Sequence, residues 1–401
     1  IVFAQALVAA AVIINFSFKI YQYNKIQNYN FHFYYLLSCL IFIIYKMNRY
    51  SEYGNDAPSH FLFFFLISEI LELKKVELKS VINNFILIAF IIFNKITLLM
   101  CVLLGLLSIK GLNLKKVFFL KRTYFLIIFT TLWLVKNIII SGCVLYPVKS
   151  LCMQTFIWTD IKMAENISEE NEAWTKGWPD YVNQQNKNNN DIISKKEFLK
   201  NFNWLPYWYN NHFNKILKIL LPYILFLIAL TSFLYVKKNH YKKDVISRIN
   251  IFFIIILFFS SLLWFIKVPV FRYGYSYFIS LICFAFALFC VRLNYKKNLR
   301  PFFNYFLIFL ITIFLTKNTV RIINSENDYN NYPWPKIYSM NEDNTPAEFN
   351  ESLVGNKIIL TPKNGYCMYS HKICSHYSLN NNLSINNIKN YEIIYLNERL
   401  N

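Results

Sequence analysis

Glu52, Asp56 and His60 stand together in one short polar stretch, Arg49-Tyr50-Ser51-Glu52-Tyr53-Gly54-Asn55-Asp56-Ala57-Pro58-Ser59-His60, between two apolar runs. Two carboxylates and an imidazole are the groups from which general acid–base chemistry is built. The i, i+4 spacing of Asp56 and His60 puts both on one helix face if Pro58 lies in the first turn. Ionisable groups at an apolar boundary are costly and often functional. The plainer reading is that Asp56 caps a helix starting near Ala57, and one carboxylate can do both. A second stretch, Lys267-Val268-Pro269-Val270-Phe271-Arg272-Tyr273, sets two cations among aromatic residues in a tight connection. The guanidinium of Arg272 offers paired donors to a phosphate, with Lys267 as a second cation. The competing reading is a snorkelling Arg that anchors a helix end. Among the other loop carboxylates Asp160 stands out, because apolar Phe156-Ile157-Trp158 precedes it, while the acidic run 165–172 reads as solvated charge.

The elements that must position these residues are apolar helices. The chain is 56% hydrophobic and 16% charged, and its apolar runs recur along most of its length, as in a polytopic membrane protein. Its net charge of +20 is gathered in short basic segments between those runs, the pattern of cytoplasmic loops rather than of a nucleic-acid-binding face. The runs are 1–18, 31–47, 61–73, 81–93, 96–108, 117–136, 216–236, 251–266, 273–291 and 302–315. Because residue Ile1 already lies inside an apolar run, the chain is expected to be a fragment whose preceding part is missing.

Alternation along these runs puts the basic segments 19–25, 74–79, 110–122, 237–248 and 292–300 on one side, which the positive-inside rule makes cytoplasmic. The other side receives 49–60, Asn94-Lys95, the loop 137–214, 267–272 and the tail. The expected organisation is an all-α transmembrane bundle in two parts, 1–136 and 216–317, with an external loop region at 137–215. A small external mixed α/β domain at 318–401 completes it, with strand-like runs at 356–361 and 391–396.

Gly142 and Pro147 are poor helix-interior residues, so the helix entering the long loop should end between Asn137 and Gly142, leaving Tyr146 at the lipid–water boundary. Two Trp-rich patches in that loop, around Trp174 and Trp204, read as interfacial anchors. Cys39, Cys101, Cys283 and Cys290 lie in apolar runs as small hydrophobes. The pairs Cys143/Cys152 and Cys367/Cys374 fall on the side where disulfides persist, which favours a bond over a metal site made of Cys367, His371 and Cys374. Gly-rich phosphate loops, Gly-x-Ser-x-Gly elbows and His-Glu-x-x-His motifs are missing from the sequence.

The segment Lys136-Asn137-Ile138-Ile139-Ile140-Ser141-Gly142-Cys143-Val144-Leu145-Tyr146-Pro147 resembles the Arg/Lys-Asn-x-x-x-Ser-Gly-x-x-x-Tyr-Pro signature of a group of bacterial multi-spanning membrane proteins. That group is similar to GT-C glycosyltransferases, which take a sugar from a polyprenyl-phosphate carrier on the external face of the inner membrane. Trp264, Pro269 and Arg272 match the group's Trp-x-x-x-x-Pro-Asp-x-Arg-Phe segment, with Val270 where the acid is usual and Tyr273 where Phe is. The Cys-x6-Cys of the tail resembles its paired cysteines. The resemblance implies a GT-C-like bundle that moves a sugar from a polyprenyl-phosphate-linked donor to an envelope glycan or lipid. It also implies that the principal catalytic Asp lies upstream of Ile1 and that Asp56 sits in a second external loop, near the metal or the acceptor. A divalent cation is thus the one cofactor it admits. The same cations would serve an O-antigen-polymerase-like protein or a lipid-linked glycan translocase without a catalytic acid, and a non-catalytic membrane protein is the third reading.

Overall fold

A helix with no polar face must be buried, by other helices or by lipid, and the segment Phe31–Lys46 (α2) is buried by helices: every residue from His32 to Ile44 is buried. The computed structural model describes residues 2–46, 56–72, 77–109, 120–178, 195–241, 248–295, 298–323, 348–354, 357–363, 373–375, 383–388 and 391–396. These fall into two units, Ile1–Thr131 with Glu169–Asn324, and Leu132–Ser168 with Ser325–Asn401. The chain is mostly helical. In order, the helices are α1 (Val2–Lys25), α2, α3 (Asp56–Glu72), α4 (Leu78–Asn94), α5 (Cys101–Leu107), α6 (Lys121–Ser141), α7 (Ile161–Thr175) and α8 (Lys195–Leu199). They continue with α9 (Leu205–Trp208), α10 (Asn214–Val236), α11 (Arg248–Lys267), α12 (Phe271–Cys290) and α13 (Arg300–Ile323).

In the first unit α1, α3, α10, α12 and α13 pack around α2. Buried polar groups need partners, and here they tie the helices together. The Tyr223 hydroxyl donates to the Ser38 carbonyl at 3.1 Å, and the thiols of Cys39 and Cys283 meet at 3.6 Å. The outer helices are the reverse of α2. Tyr124, Phe125, Ile128 and Leu132 of α6 are all more than half exposed, a contiguous outward apolar face of the kind that marks a membrane or protein contact. Among the described residues, five segments are long and apolar enough to cross a membrane: Lys121–Ser141, Leu205–Val236, Ile249–Lys267, Phe271–Cys290 and Arg300–Val320.

The expected run 96–108 differs. It forms a 3-10 turn, Ile96–Leu98, followed by α5, and at ~1.5 Å per residue the twelve residues of Ile96–Leu107 fall well short of a ~30 Å hydrocarbon core. Gly105 lets this short piece press on α4: a Cβ there would lie 2.4 Å from Ile88 Cδ1.

The loops of the first unit sort into two linked sets. Lys19 pairs with Glu69 at 2.7 Å and Glu72 at 2.5 Å, Asn24 Nδ2 donates to the Arg300 carbonyl at 3.0 Å, and Arg122 donates to Asn83 at 2.6 Å. The strands β1 (Lys238–Tyr241) and β2 (Leu293–Tyr295) pair antiparallel, joining the α10–α11 and α12–α13 loops. Of the basic segments, 19–25, 237–248 and 292–300 are therefore linked at one end, and Arg122 of 110–122 reaches α4. At the other end Asp56 meets Lys95, Thr97 Oγ1 donates to the Tyr273 carbonyl at 2.7 Å, and Lys267 meets Glu172 at 3.5 Å. For the described residues these contacts fall into the two sets expected from alternation and charge bias, although Ile96–Leu107 is too short for the crossing that the alternation counts there.

The expected external region 137–215 is split between the units. From Glu169 on it belongs with the bundle, where Ala173, Phe198, Trp204, Trp208 and Ile216 form a second apolar core. Trp204 and Trp208 are thus core residues rather than surface anchors. In the second unit the described tail residues form two antiparallel hairpins, β3 (Phe349–Val354) with β4 (Lys357–Pro362) and β5 (Leu383–Ile388) with β6 (Tyr391–Leu396). They match the two strand-like runs, and no helix occurs among the described residues of the tail after α13.

Candidate functional site

The turn between α11 and α12 is stapled at successive carbonyls. The Trp208 indole donates to the Pro269 carbonyl at 2.7 Å, and the Trp264 indole donates to the Val270 carbonyl at 3.0 Å. Trp264 lies flush against Gly274, where a Cβ would sit 2.2 Å from the indole Cδ1. Trp264, Pro269, Arg272 and Gly274 are therefore one construction, and its product is the placement of Arg272. The guanidinium carbon of Arg272 lies 5.4 Å from the Trp174 ring and 5.1 Å from the Tyr273 ring, within cation–π range of both. Its Nη2 donates to the Tyr273 hydroxyl at 3.3 Å.

Asp56, the first residue of α3, forms an ion pair with Lys95. The lysine is 6% exposed and its carboxylate partner 32%, so the cation is the buried member. Helix α4 stops just before Lys95, whose backbone is extended and whose N–H caps the Ile91 carbonyl. The Lys95 ammonium also stands 4.4 Å from the Tyr273 ring centroid. Burial holds its pKa below the ordinary lysine range, Asp56 pulls the other way, and Arg272 adds to the depression. Lys95 is the residue that sequence reasoning missed, since Asn94-Lys95 served there only to divide two apolar runs. The available signal was a lone cation on the side where the charge bias disfavours it.

His60 joins the group by its backbone-facing role. It is fully buried and stacked on Tyr275 with ring centroids 3.8 Å apart. Its Nε2 faces the Arg272 carbonyl at 2.9 Å and its Nδ1 the Ser276 hydroxyl at 2.8 Å. A carbonyl only accepts, so Nε2 carries the hydrogen. Both nitrogens are engaged by the fold, which makes His60 a staple between α3 and α12 in this arrangement.

The remaining expected residues separate. Glu52 lies outside the described residues. Lys267 is two-thirds exposed and pairs with Glu172, which also holds Lys176 at 2.6 Å. In the second unit Asp160 is the N-cap of α7, its Oδ1 accepting the Met163 N–H at 2.8 Å and so satisfying an orphan helix donor. Tyr146 is exposed and joined to Pro147 by a cis peptide. The segment around it is a helix terminus. Asn137 Nδ2 donates to the Val144 carbonyl at 3.2 Å, and the Met153 N–H donates to the Gly142 carbonyl at 2.9 Å. Gly142 has φ +70°, and a Cβ there would collide with Thr159, so only glycine serves. Cys143 and Cys152 form a disulfide across this loop. Cys374 is disulfide-bonded, and Cys367 lies outside the described residues. Among the described residues no three His, Cys, Asp or Glu side chains converge as metal donors.

Outward apolar helices around an enclosed α2, five of them long and apolar enough to cross a membrane among the described residues, fit a helical membrane protein, with Asp56, Lys95 and Arg272 gathered beside aromatic rings at one end. Residues 3–279 match the family model described as a domain of unknown function, DUF8201, and the chain belongs to that family. The match takes in Asp56, Lys95 and Arg272. No curated protein and no solved structure matches the chain.

Proposed function

We propose that this protein is a GT-C-like glycosyltransferase of the bacterial inner membrane, moving a sugar from a polyprenyl-phosphate carrier to an envelope glycan or lipid on the external face. The observation that carries this reading is the meeting of a carboxylate, Asp56, with two cations, Lys95 and Arg272, against aromatic rings at the end of the bundle opposite the basic loops. With the basic loops cytoplasmic, that end and the tail face outward. Arg272 would hold the carrier phosphate at headgroup depth through its paired donors. Asp56 would take the proton from the acceptor hydroxyl as its oxygen bonds to the anomeric carbon. The bond from that carbon to the phosphate oxygen breaks, and the electron pair leaves with the phosphate.

The test is turnover of a radiolabelled polyprenyl-phospho-sugar by the complete protein in membranes. Asp56→Asn should abolish transfer in a protein that still folds, and Arg272→Lys should weaken donor use more than folding, because a point charge replaces a fork. Full transfer by Asp56→Asn would sink the assignment of Asp56 as base. A second reading, a lipid-linked glycan translocase or O-antigen-polymerase-like protein, draws on the pairing of Asp56 with Lys95, since such a protein needs the cations but no free carboxylate.

A further inference from the structure

Lys95 has more within reach than Asp56. It and Arg272 share the ring of Tyr273, at 4.4 and 5.1 Å from its centroid, and Arg272 presses electrostatically on the Lys95 charge. Two neighbouring cations, one of them buried, are costly to hold together and are relieved by an anion between them. Of the cations at this end, Lys95 pairs with Asp56, Lys176 and Lys267 share Glu172, and Arg272 lies against the Trp174 and Tyr273 rings with no ion pair among the described residues. The Lys95 backbone is fixed: its N–H is bonded to the Ile91 carbonyl, and the following turn is fastened to α12 by Thr97 Oγ1 on the Tyr273 carbonyl at 2.7 Å and by the Tyr277 hydroxyl on the Thr97 carbonyl at 3.0 Å. What remains free to turn is the side chain, four methylenes carrying three rotatable donors.

We propose that Lys95 is a switching ligand: in the empty protein its ammonium neutralises Asp56, and a phosphate mono- or diester arriving at Arg272 draws the ammonium onto itself. This deepens, and rests on, the reading of this end as a carrier-phosphate site. The exchange gives the phosphate a second cation and leaves Asp56, the more exposed partner, as an uncompensated carboxylate. Proton abstraction then follows carrier binding, so the acceptor hydroxyl meets an active base only when a donor is in place.

The test measures retention of a radiolabelled polyprenyl monophosphate by the complete protein in phosphatidylcholine nanodiscs, with melting temperatures recorded for each variant. Lys95→Met should weaken retention about tenfold or more, the worth of one charge-assisted hydrogen bond, while Lys95→Arg keeps most of it. Asp56→Asn should tighten retention, because a competing carboxylate is gone. Retention that is unchanged or weaker in a folded Asp56→Asn protein would overturn the switch and leave a static ion pair. So would equal losses in Lys95→Arg and Lys95→Met, a comparison that stands even if Asp56→Asn fails to fold. A second arm adds millimolar inorganic phosphate. Displacement of the carrier assigns the site to free phosphate, and persistence assigns it to the lipid headgroup; failure of wild-type protein to retain either ligand overturns the proposal. If the variants behave as expected but no sugar is transferred, the glycosyltransferase reading fails and the switch survives.

Discussion

Replacing His60 separates a staple from a base. In the structure the imidazole makes two hydrogen bonds, to the Arg272 carbonyl and the Ser276 hydroxyl, and stacks on Tyr275. His60→Ala removes both bonds, each worth about 1 kcal/mol net, and a ring contact of about 0.5–1.5 kcal/mol. It also leaves a ring-sized hole, so the total should reach about 3–5 kcal/mol, as for aromatic-to-alanine truncations in cores. His60→Gln offers an amide N–H to the carbonyl and an amide oxygen to the hydroxyl, so it should cost no more than about 1–2 kcal/mol. The assay is thermal unfolding of both variants in nanodiscs, followed by carrier retention and sugar transfer at a temperature where each is folded. A general base contributes about 100-fold or more to rate. A His60→Gln protein with near-native stability and transfer reduced a hundredfold would refute the staple and return His60 to the chemistry.

Gly274→Ala should drive Trp264 off the helix, break its bond to the Val270 carbonyl and release the turn that presents Arg272. Its signature is a lower melting temperature together with weaker carrier retention, and an unchanged melting curve would contradict the packing. The depressed pKa of Lys95 means that the unfolded chain holds this proton more tightly than the folded one. The stability of wild type relative to Lys95→Met should therefore rise with pH through the window between the lowered value and the ordinary 10.5, then level off. Paired urea titrations across that window measure it, and a falling difference would refute the sign. Single cysteines replacing Asp56 and Lys238 should be labelled by an impermeant maleimide from opposite sides of the membrane, Asp56 from outside; labelling of both from one side would dismantle the topology.

Much of the helical unit was legible because apolar runs and basic loops are long-range signals that survive ignorance of packing. The turn at Gly142 was legible too, since a glycine that must adopt positive φ marks where α6 stops. The run 96–108 misled because hydropathy does not register that Gly105 allows a short helix to press against α4. His60 misled for a related reason. Its spacing from Asp56 was read correctly as shared position on α3, but its partners, Ser276 and the Arg272 carbonyl, lie more than two hundred residues away in sequence. Lys95 was passed over because its meaning is wholly tertiary: a single cation becomes a ligand candidate only once Tyr273 and Arg272 stand beside it. Asp160 looked exceptional by its apolar neighbours, yet the local need of α7 for an N-cap explains it.

The enclosure of α2 has a consequence for how the chain is made. Its partners are synthesised late: Ser38 waits for Tyr223, and Cys39 for Cys283, a separation of 244 residues. Of the helices that enclose it in the structure, α1 and α3 are made close to it in time, while α10, α12 and α13 follow much later. The segment from Tyr223 to Cys290 acts as a closing piece, and a ribosome that stops before it leaves α2 without the partners of its buried Ser38 carbonyl and Cys39 thiol. Premature termination anywhere upstream of α12 should make the nascent product a substrate for quality control, however intact its first helices are.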